Sequence, residues 1–129
     1  MATKIISETP ITMAELKEDI KNIKERDKEL NFRSQKTEEY LNLFVEISDK
    51  QAKEIKEKIE KLNIPRLKLE HIVKVVDIMP QSVEEAKSVL SAYPITITNE
   101  NLKKIVDVVL QYAKKEKKEK KAAEEPAPE

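Results

Sequence analysis

Residues 69–80 read LEHIVKVVDIMP, the most apolar stretch of a chain in which 39% of all residues are charged. Its apolar positions recur at i, i+3, i+4 and i+7, the period of one helix face, and a helix cannot continue through Pro80. The spacing therefore predicts a helix over about 66–78 at the centre of the core. Its inward residues are predicted to be Leu69, Ile72, Val73, Val76 and Met79.

Working outward from this stretch, the same period predicts five more helices. Capping boxes at Thr12, Ser48 and Ser82 mark three of the helix starts, and Asn63 can take the left-handed conformation between the third and fourth helices. Both phenylalanines and Tyr40 fall within 32–44, which predicts the densest aromatic packing there. The five helices are predicted at about 13–31, 35–47, 49–62, 83–92 and 99–115.

The first 31 residues differ from the rest. β-branched residues and Pro10 favour an extended, strand-like arm over 4–11, which has no partner strand elsewhere in the chain. The helix at 13–31 carries only a narrow apolar seam between charged faces, so we expect it to rest on another protein or, alternatively, on its own domain. The predicted partner interface is Ile5, Ile6, Ile11, Met13, Leu16, Ile20 and Ile23.

The last sixteen residues are strongly charged and continue no apolar stripe. Residues 114–121 hold six Lys and two Glu, net +4, and we expect 114–129 to be disordered or a frayed helix. Without Arg or aromatic residues, this segment is favoured as a solvated tail over a nucleic-acid contact through Lys114, Lys115, Lys117 and Lys118. The predicted organisation is a partner-binding region at 1–31, a helical core at 32–113 and a charged tail at 114–129.

Composition excludes most catalytic sites. The chain has no Gly and no Cys, so phosphate-cradling loops, nucleophile elbows and thiolate metal sites cannot be built from it. His71 is the only histidine and is interpreted as structural, and adjacent glutamates such as Glu38 and Glu39 as solvated faces. We expect no intrinsic enzymatic activity, no cofactor, no metal and no small-molecule substrate. Without a membrane-length apolar run or a signal-peptide pattern, a cytoplasmic location is expected.

The order of these elements resembles a known family, the F subunit of archaeal RNA polymerase, which is the counterpart of the fourth subunit of the eukaryotic enzyme. The resemblance runs over about residues 3–115 and rests on weak landmarks in the right order and spacing. They are Lys4–Glu8 with Ile11–Glu15, Thr37–Leu41 leading into Phe44 and the 49–59 helix, Ile72–Pro80, Val83–Leu90 and Ile105–Tyr112. Two departures are Asn63, where the family often has Gly, and the Lys-rich tail beyond the family's usual end.

The resemblance implies both a fold and a role. The fold would be all-α, a small helical bundle of HRDC-like type preceded by the arm and a long helix. The chain would be an accessory subunit of DNA-directed RNA polymerase, forming a heterodimer with the E subunit of that enzyme and, through it, joining the polymerase core. This stalk supports transcription initiation, RNA contact and termination, and its RNA-binding surface lies mostly on the E subunit. The alternative is a stand-alone helical nucleic-acid-binding module using the Lys-rich tail and the joint at 62–65.

Overall fold

The computed structural model describes the backbone of residues 4–124 and the side chains of residues 4–114. This part of the chain is all-α, as predicted, and forms a small bundle of six helices without a strand. The finer assignment to an HRDC-like type stays a prediction. The helices are α1 (Met13–Asp27), α2 (Phe32–Phe44), α3 (Asp49–Lys61), α4 (Leu69–Ile78), α5 (Val83–Leu90) and α6 (Asn99–Glu124).

The main core lies between α3, α4, α5 and α6, and α4 supplies its centre, as predicted. Ile72, Val75 and Val76 are buried there against Ile55 of α3 and Ile105 of α6. The predicted inward face of α6 is also observed, and Val108 and Tyr112 widen it beyond the predicted stripe. A second, smaller cluster joins α1 to α2 through Ile20, Leu30 and Leu41.

Three predicted helix caps are confirmed. The hydroxyl of Thr12 accepts a hydrogen bond from the Glu15 N–H, and Ser48 accepts one from Gln51 in the same way. At α5, Ser82 accepts from the Glu85 N–H, while the Glu85 carboxylate accepts from the Gln81 N–H. Each cap satisfies a backbone donor that the first turn leaves without a helical partner, so these helices begin where their local sequence dictates.

Boundaries that depend on left-handed residues were predicted less well. Helix α1 ends at Asp27 instead of near 31, because Lys28 has φ 64°, and it is therefore shorter than the long helix expected. Asn31 then caps α2 three residues earlier than predicted, and α4 begins at Leu69 because Arg66 has φ 68°. Asn63 has φ 49°, which confirms its predicted left-handed role.

Helix α6 extends further than its apolar stripe predicts. Its backbone is helical to Glu124, which corresponds to the helical one of the two alternatives predicted for 114–129, and residues 125–129 lie outside the described part of the chain. The physical reason is composition: Lys, Glu and Ala are among the strongest helix formers, and Pro126 stands just beyond the end. No helix in the described part of the chain is long and apolar enough to cross a membrane.

Candidate functional site

Helix α2 turns most of its apolar side chains away from the protein. Phe32, Leu43 and Phe44 are 72%, 78% and 60% exposed, and Tyr40 is also exposed. At 100° per residue these four positions fall within about 120° of the helix circumference, and the buried Leu41 lies about 60° beyond the edge of this arc. We call Phe32, Tyr40, Leu43 and Phe44 the α2 face. An exposed apolar stripe in such a highly charged protein makes this face a candidate for contact with another protein.

The predicted aromatic packing at 32–44 is present as a contact between Tyr40 and Phe44, but it lies at the surface of the protein. Leu41 is the one residue of α2 that is fully buried, while the aromatic side chains are exposed. The sequence did contain a partial signal, since Leu41 and Leu43 lie about 160° apart on the helix and cannot share one face. Apolar residues on two sides of a helix indicate that both sides are covered, and the described residues cover only the side of Leu41.

The side chains of the α2 face hold one another in place. The rings of Tyr40 and Phe44 are 4.6 Å apart between centroids. The Lys36 ammonium lies 5.6 Å from the centroid of the Phe32 ring and 3.5 Å from a carboxylate oxygen of Glu39. Aromatic side chains with two rotatable bonds lose little entropy when a partner covers them. The face is thus preorganised for contact with a protein.

A recess with both apolar and polar lining residues, among them Asp77 and Gln81, opens at the carboxyl end of α2. Phe44 and the exposed Ile78 line it together with Met13, Val76 and Ala113, and its volume is about 210 Å³. Cavities that hold cofactors or drug-sized ligands generally measure about 300–1,000 Å³. The recess is therefore suited to a single inserted side chain, and it continues the α2 face towards the ends of α1 and α4.

The arm over residues 4–11 has no regular secondary structure, and its isoleucines face solvent. Ile6 is 94% exposed, and Ile5 and Ile11 are also exposed. The arm meets the bundle at Thr12, which is completely buried, and the next residue's N–H donates a hydrogen bond to Asp77 Oδ1 at 2.7 Å. This junction fixes the point from which the arm leaves the bundle, next to the recess.

Two carboxylates anchor the start of α1 to the main core. Glu15 Oε1 lies 2.7 Å from Lys56 Nζ of α3, an ion pair that is mostly buried. The Asp77 carboxylate of α4 accepts the bond from Met13, and burial raises the pKa of that carboxyl above its usual range, against the lowering effects of this hydrogen bond and of Lys74. The root of the arm is thereby held by charge as well as by packing.

The seven residues predicted as a partner interface divide into three groups. Ile5, Ile6, Ile11 and Ile23 are exposed, and Met13 and Leu16 are half-buried. Ile20 corrects the prediction. It is only 6% exposed and packs with Leu30 and Leu41, because the α1 seam meets α2 of its own chain. Ile20 is therefore a core residue, and the α2 face is an exposed apolar surface that was not predicted from the sequence.

The groups considered for catalysis are engaged in structural contacts. His71 is buried, its Nδ1 accepts the Lys68 N–H at 2.9 Å, and its ring contacts Tyr93 edge-on, which confirms the structural interpretation. Glu38 forms an ion pair with Lys24 of α1. Within the described residues, no three His, Asp or Glu side chains are grouped so that they could hold a metal ion.

The lysines predicted as candidate nucleic-acid contacts lie on the last part of α6. Lys114 is exposed, directly after the buried Ala113, and Lys115, Lys117 and Lys118 follow on helical backbone. Their contact with nucleic acid stays a prediction.

One family of known proteins shares the sequence pattern of this chain. The pattern of the family described as RNA polymerase Rpb4 matches residues 2–113, which cover the arm and the bundle up to the last buried residue of α6. No curated protein sequence matches the chain. The matched range stops where the Lys-rich part of α6 begins.

Proposed function

The chain belongs to the RNA polymerase Rpb4 family, and from this premise we propose that it is the archaeal F subunit, which pairs with the E subunit to form the polymerase stalk. Membership makes it a non-catalytic subunit of an RNA polymerase and implies association with the polymerase core. The proposal adds the partner, the stalk and its roles in initiation, RNA contact and termination. It also places the complex in the cytoplasm.

The observation that carries the proposal is the α2 face. A subunit without a catalytic site works through the surfaces it offers to other proteins, and aromatic residues are the side chains most enriched at the centres of such surfaces. Phe44, Tyr40 and Leu43 are left exposed by the described part of the chain. The E subunit supplies that cover in the proposal, and one of its apolar side chains fills the recess beside Phe44 and Ile78.

The arm provides the second part of the interface. Ile5, Ile6 and Ile11 project from a segment that forms no hydrogen-bonded strand within the described chain. An extended segment with free backbone groups adds to the edge of a partner's sheet, so that the backbone gives affinity and alternate side chains give specificity. Ile23, Met13 and Leu16 extend this surface along α1, and Ile20 supports them from within.

Co-expression with a homologue of the E subunit, followed by size exclusion, tests the pairing. We expect one 1:1 peak at micromolar concentration, whereas two separate peaks would contradict the proposal. The double substitution Leu43→Ser/Phe44→Ser removes two exposed anchors. Each should weaken the complex by about 2 kcal/mol, roughly 30-fold, because hot-spot residues contribute that much. The stability of the isolated chain should change by no more than about 0.5 kcal/mol, because both side chains are exposed.

A matched control keeps this test specific. Glu84→Ser/Lys87→Ser truncates two exposed residues of α5, which packs on α4 and α6, and should leave the complex intact. Ile6→Asp tests the arm separately. Ile20→Asp is unsuitable, because it would place an unpaired charge inside the α1–α2 cluster and unfold it. If Leu43→Ser/Phe44→Ser pairs as tightly as the control, the α2 face is not the interface.

A further inference from the structure

The Lys-rich end of α6 is a helix, and this arranges its charges. Residues 114–124 continue the helix for about 16 Å beyond Ala113, at 1.5 Å per residue. Positions 114, 117, 118 and 121 stand at i, i+3, i+4 and i+7, the spacing of one helix face, and all four are lysine. We propose that these four lysines, the α6 stripe, bind the phosphodiester backbone of single-stranded nucleic acid.

Opposite charges are segregated around this helix. At 100° per residue, the α6 stripe covers about 100° of the circumference, and positions 116 and 119, the two glutamates, fall on the other side. The whole chain has a formal net charge of +0, while 114–121 carries net +4. A polyanion is therefore attracted to a row of positive charges on one side of this helix, because the protein as a whole carries no excess positive charge.

The stripe begins where the core residues end. Ala113 is the last residue of α6 given as buried, and Lys114, the first residue of the stripe, is exposed. The stripe also starts where the family match ends, after residue 113. It is thus an addition to the part of the chain that carries the fold, and it can be altered without disturbing the core.

Lysine chemistry selects the kind of ligand. An ammonium group is a point charge that binds phosphate without reading bases, and residues 114–124 contain no Arg for bidentate contacts and no aromatic residue for stacking. The contact should therefore be independent of sequence and equal for RNA and DNA. The choice of nucleic acid over an acidic protein rests on the proposed function, because an RNA polymerase holds both template and transcript.

Fluorescence anisotropy of the full chain with a labelled 20-nucleotide oligo-U RNA, and with the corresponding oligo-dT DNA, tests the proposal. Four lysine–phosphate contacts on a single strand predict a log–log salt slope of about −2.8, and thus about 50-fold weaker binding at 200 mM than at 50 mM salt. Lys117→Gln/Lys121→Gln should reduce affinity at least tenfold, whereas Lys115→Gln/Lys120→Gln, which removes the same charge outside the stripe, should keep most of it.

A rearranged variant tests whether binding depends on the arrangement of the lysines in the stripe or only on the net charge of the segment. Glu116→Lys/Lys117→Glu/Lys118→Glu/Glu119→Lys keeps composition and charge but places two glutamates within the stripe, and it should lose binding while circular dichroism stays helical. Unchanged binding by this variant, or equal loss in the two glutamine pairs, would overturn the proposal. So would equally tight binding of a polyglutamate peptide. Co-purification with the E subunit reads out the proposed function separately, because no stripe variant should affect it.

Discussion

The two halves of this small protein use their apolar residues in opposite ways. In α3–α6, apolar side chains turn inward and form one continuous core around Val75, Val76 and Ile105. In α1–α2, the buried cluster consists of Ile20, Leu30 and Leu41, while the most apolar part of α2 faces solvent. Buried core and exposed apolar surface are therefore separated along the chain. One half holds most of the core, and the other presents the α2 face, which in the proposed function is covered by a partner.

This separation has an energetic consequence. Buried apolar area is the main favourable contribution to folding, so a helix pair that buries few side chains is held weakly. Helices α1 and α2 are joined to the main core through the Glu15–Lys56 ion pair, the Met13–Asp77 hydrogen bond and the packing of Ala14. We therefore expect α1–α2 to open locally at a lower free energy than α3–α6.

Removing one buried side chain from each half tests most directly whether the two halves differ in stability. Ile105→Ala leaves a cavity in the main core and should cost about 2–5 kcal/mol of global stability in urea unfolding. Leu41→Ala removes a similar volume from the small cluster. Its effect should appear mainly as faster amide exchange in α1 and α2, with α3–α6 still protected. If both variants lower the protection of all six helices equally, the halves form one cooperative unit.

The features of the fold that could be predicted from the sequence are those determined by residues close together in the chain. The six helices, their caps and the inward faces of α4 and α6 follow from period, capping residues and proline positions, all of which act within a few residues. The outward aromatic face of α2 does not follow. Helical period shows that a face is apolar, but whether the chain itself or another protein covers it depends on how the other helices fill the core.

The α1 seam could not be assigned correctly for a related reason. Its narrow apolar spacing indicates a partner surface, yet Ile20 meets Leu41 of its own chain, because α2 packs back across α1. Such a long-range contact leaves no local signal. The helical end of α6 is a different case from the α1 seam, because the helix propensity that favours it is a property of the local sequence. The absence of an apolar stripe predicts disorder or a frayed helix, and the helix propensity of Lys, Glu and Ala in 114–124 favours the helical alternative.

Substitutions at residues with positive φ provide a second test of the two halves, with smaller expected changes in stability. Lys28 lies between α1 and α2, and Arg66 lies between α3 and α4, both with positive φ. This conformation costs a residue with a Cβ about 1–2 kcal/mol, partly offset by the greater entropy that glycine loses on folding. Lys28→Gly and Arg66→Gly should therefore each stabilise their own half, by about 0.5–1 kcal/mol.

The readout and control make this probe specific. Urea unfolding should report the gain from Arg66→Gly globally, while hydrogen exchange should report the gain from Lys28→Gly chiefly in α1 and α2. Lys21→Gly, inside α1, supplies the matched control. It should destabilise by about 1 kcal/mol, because glycine is a poor helix former there. A loss of stability in Lys28→Gly would mean that this side chain contributes more than its backbone strain costs.

The smallest expected effect concerns the hydrogen bond that links the halves. The Asp77 carboxylate lies beside the amino end of α1, which favours its charge, but near the carboxyl end of α4, which opposes it. Burial raises its pKa in the folded protein above the ordinary value of 3.8. The unfolded chain therefore loses this proton at a lower pH than the folded chain does. The resulting penalty is absent below pH 3.8, grows as the pH rises through the raised pKa, and is complete at neutral pH.

Asp77→Asn keeps an oxygen to accept the Met13 N–H but removes the charge. The variant should be slightly more stable than the unchanged protein at pH 7, and this difference should shrink as the pH falls to about 3.8, measured as urea midpoints across that range. Asp77→Ala provides the contrast. It leaves the Met13 N–H without its acceptor and should therefore be about 1 kcal/mol less stable than Asp77→Asn at every pH, since neither variant titrates at this position. If Asp77→Asn is less stable at pH 7, the charged hydrogen bond outweighs burial, and the junction between the halves is held by the carboxylate charge itself.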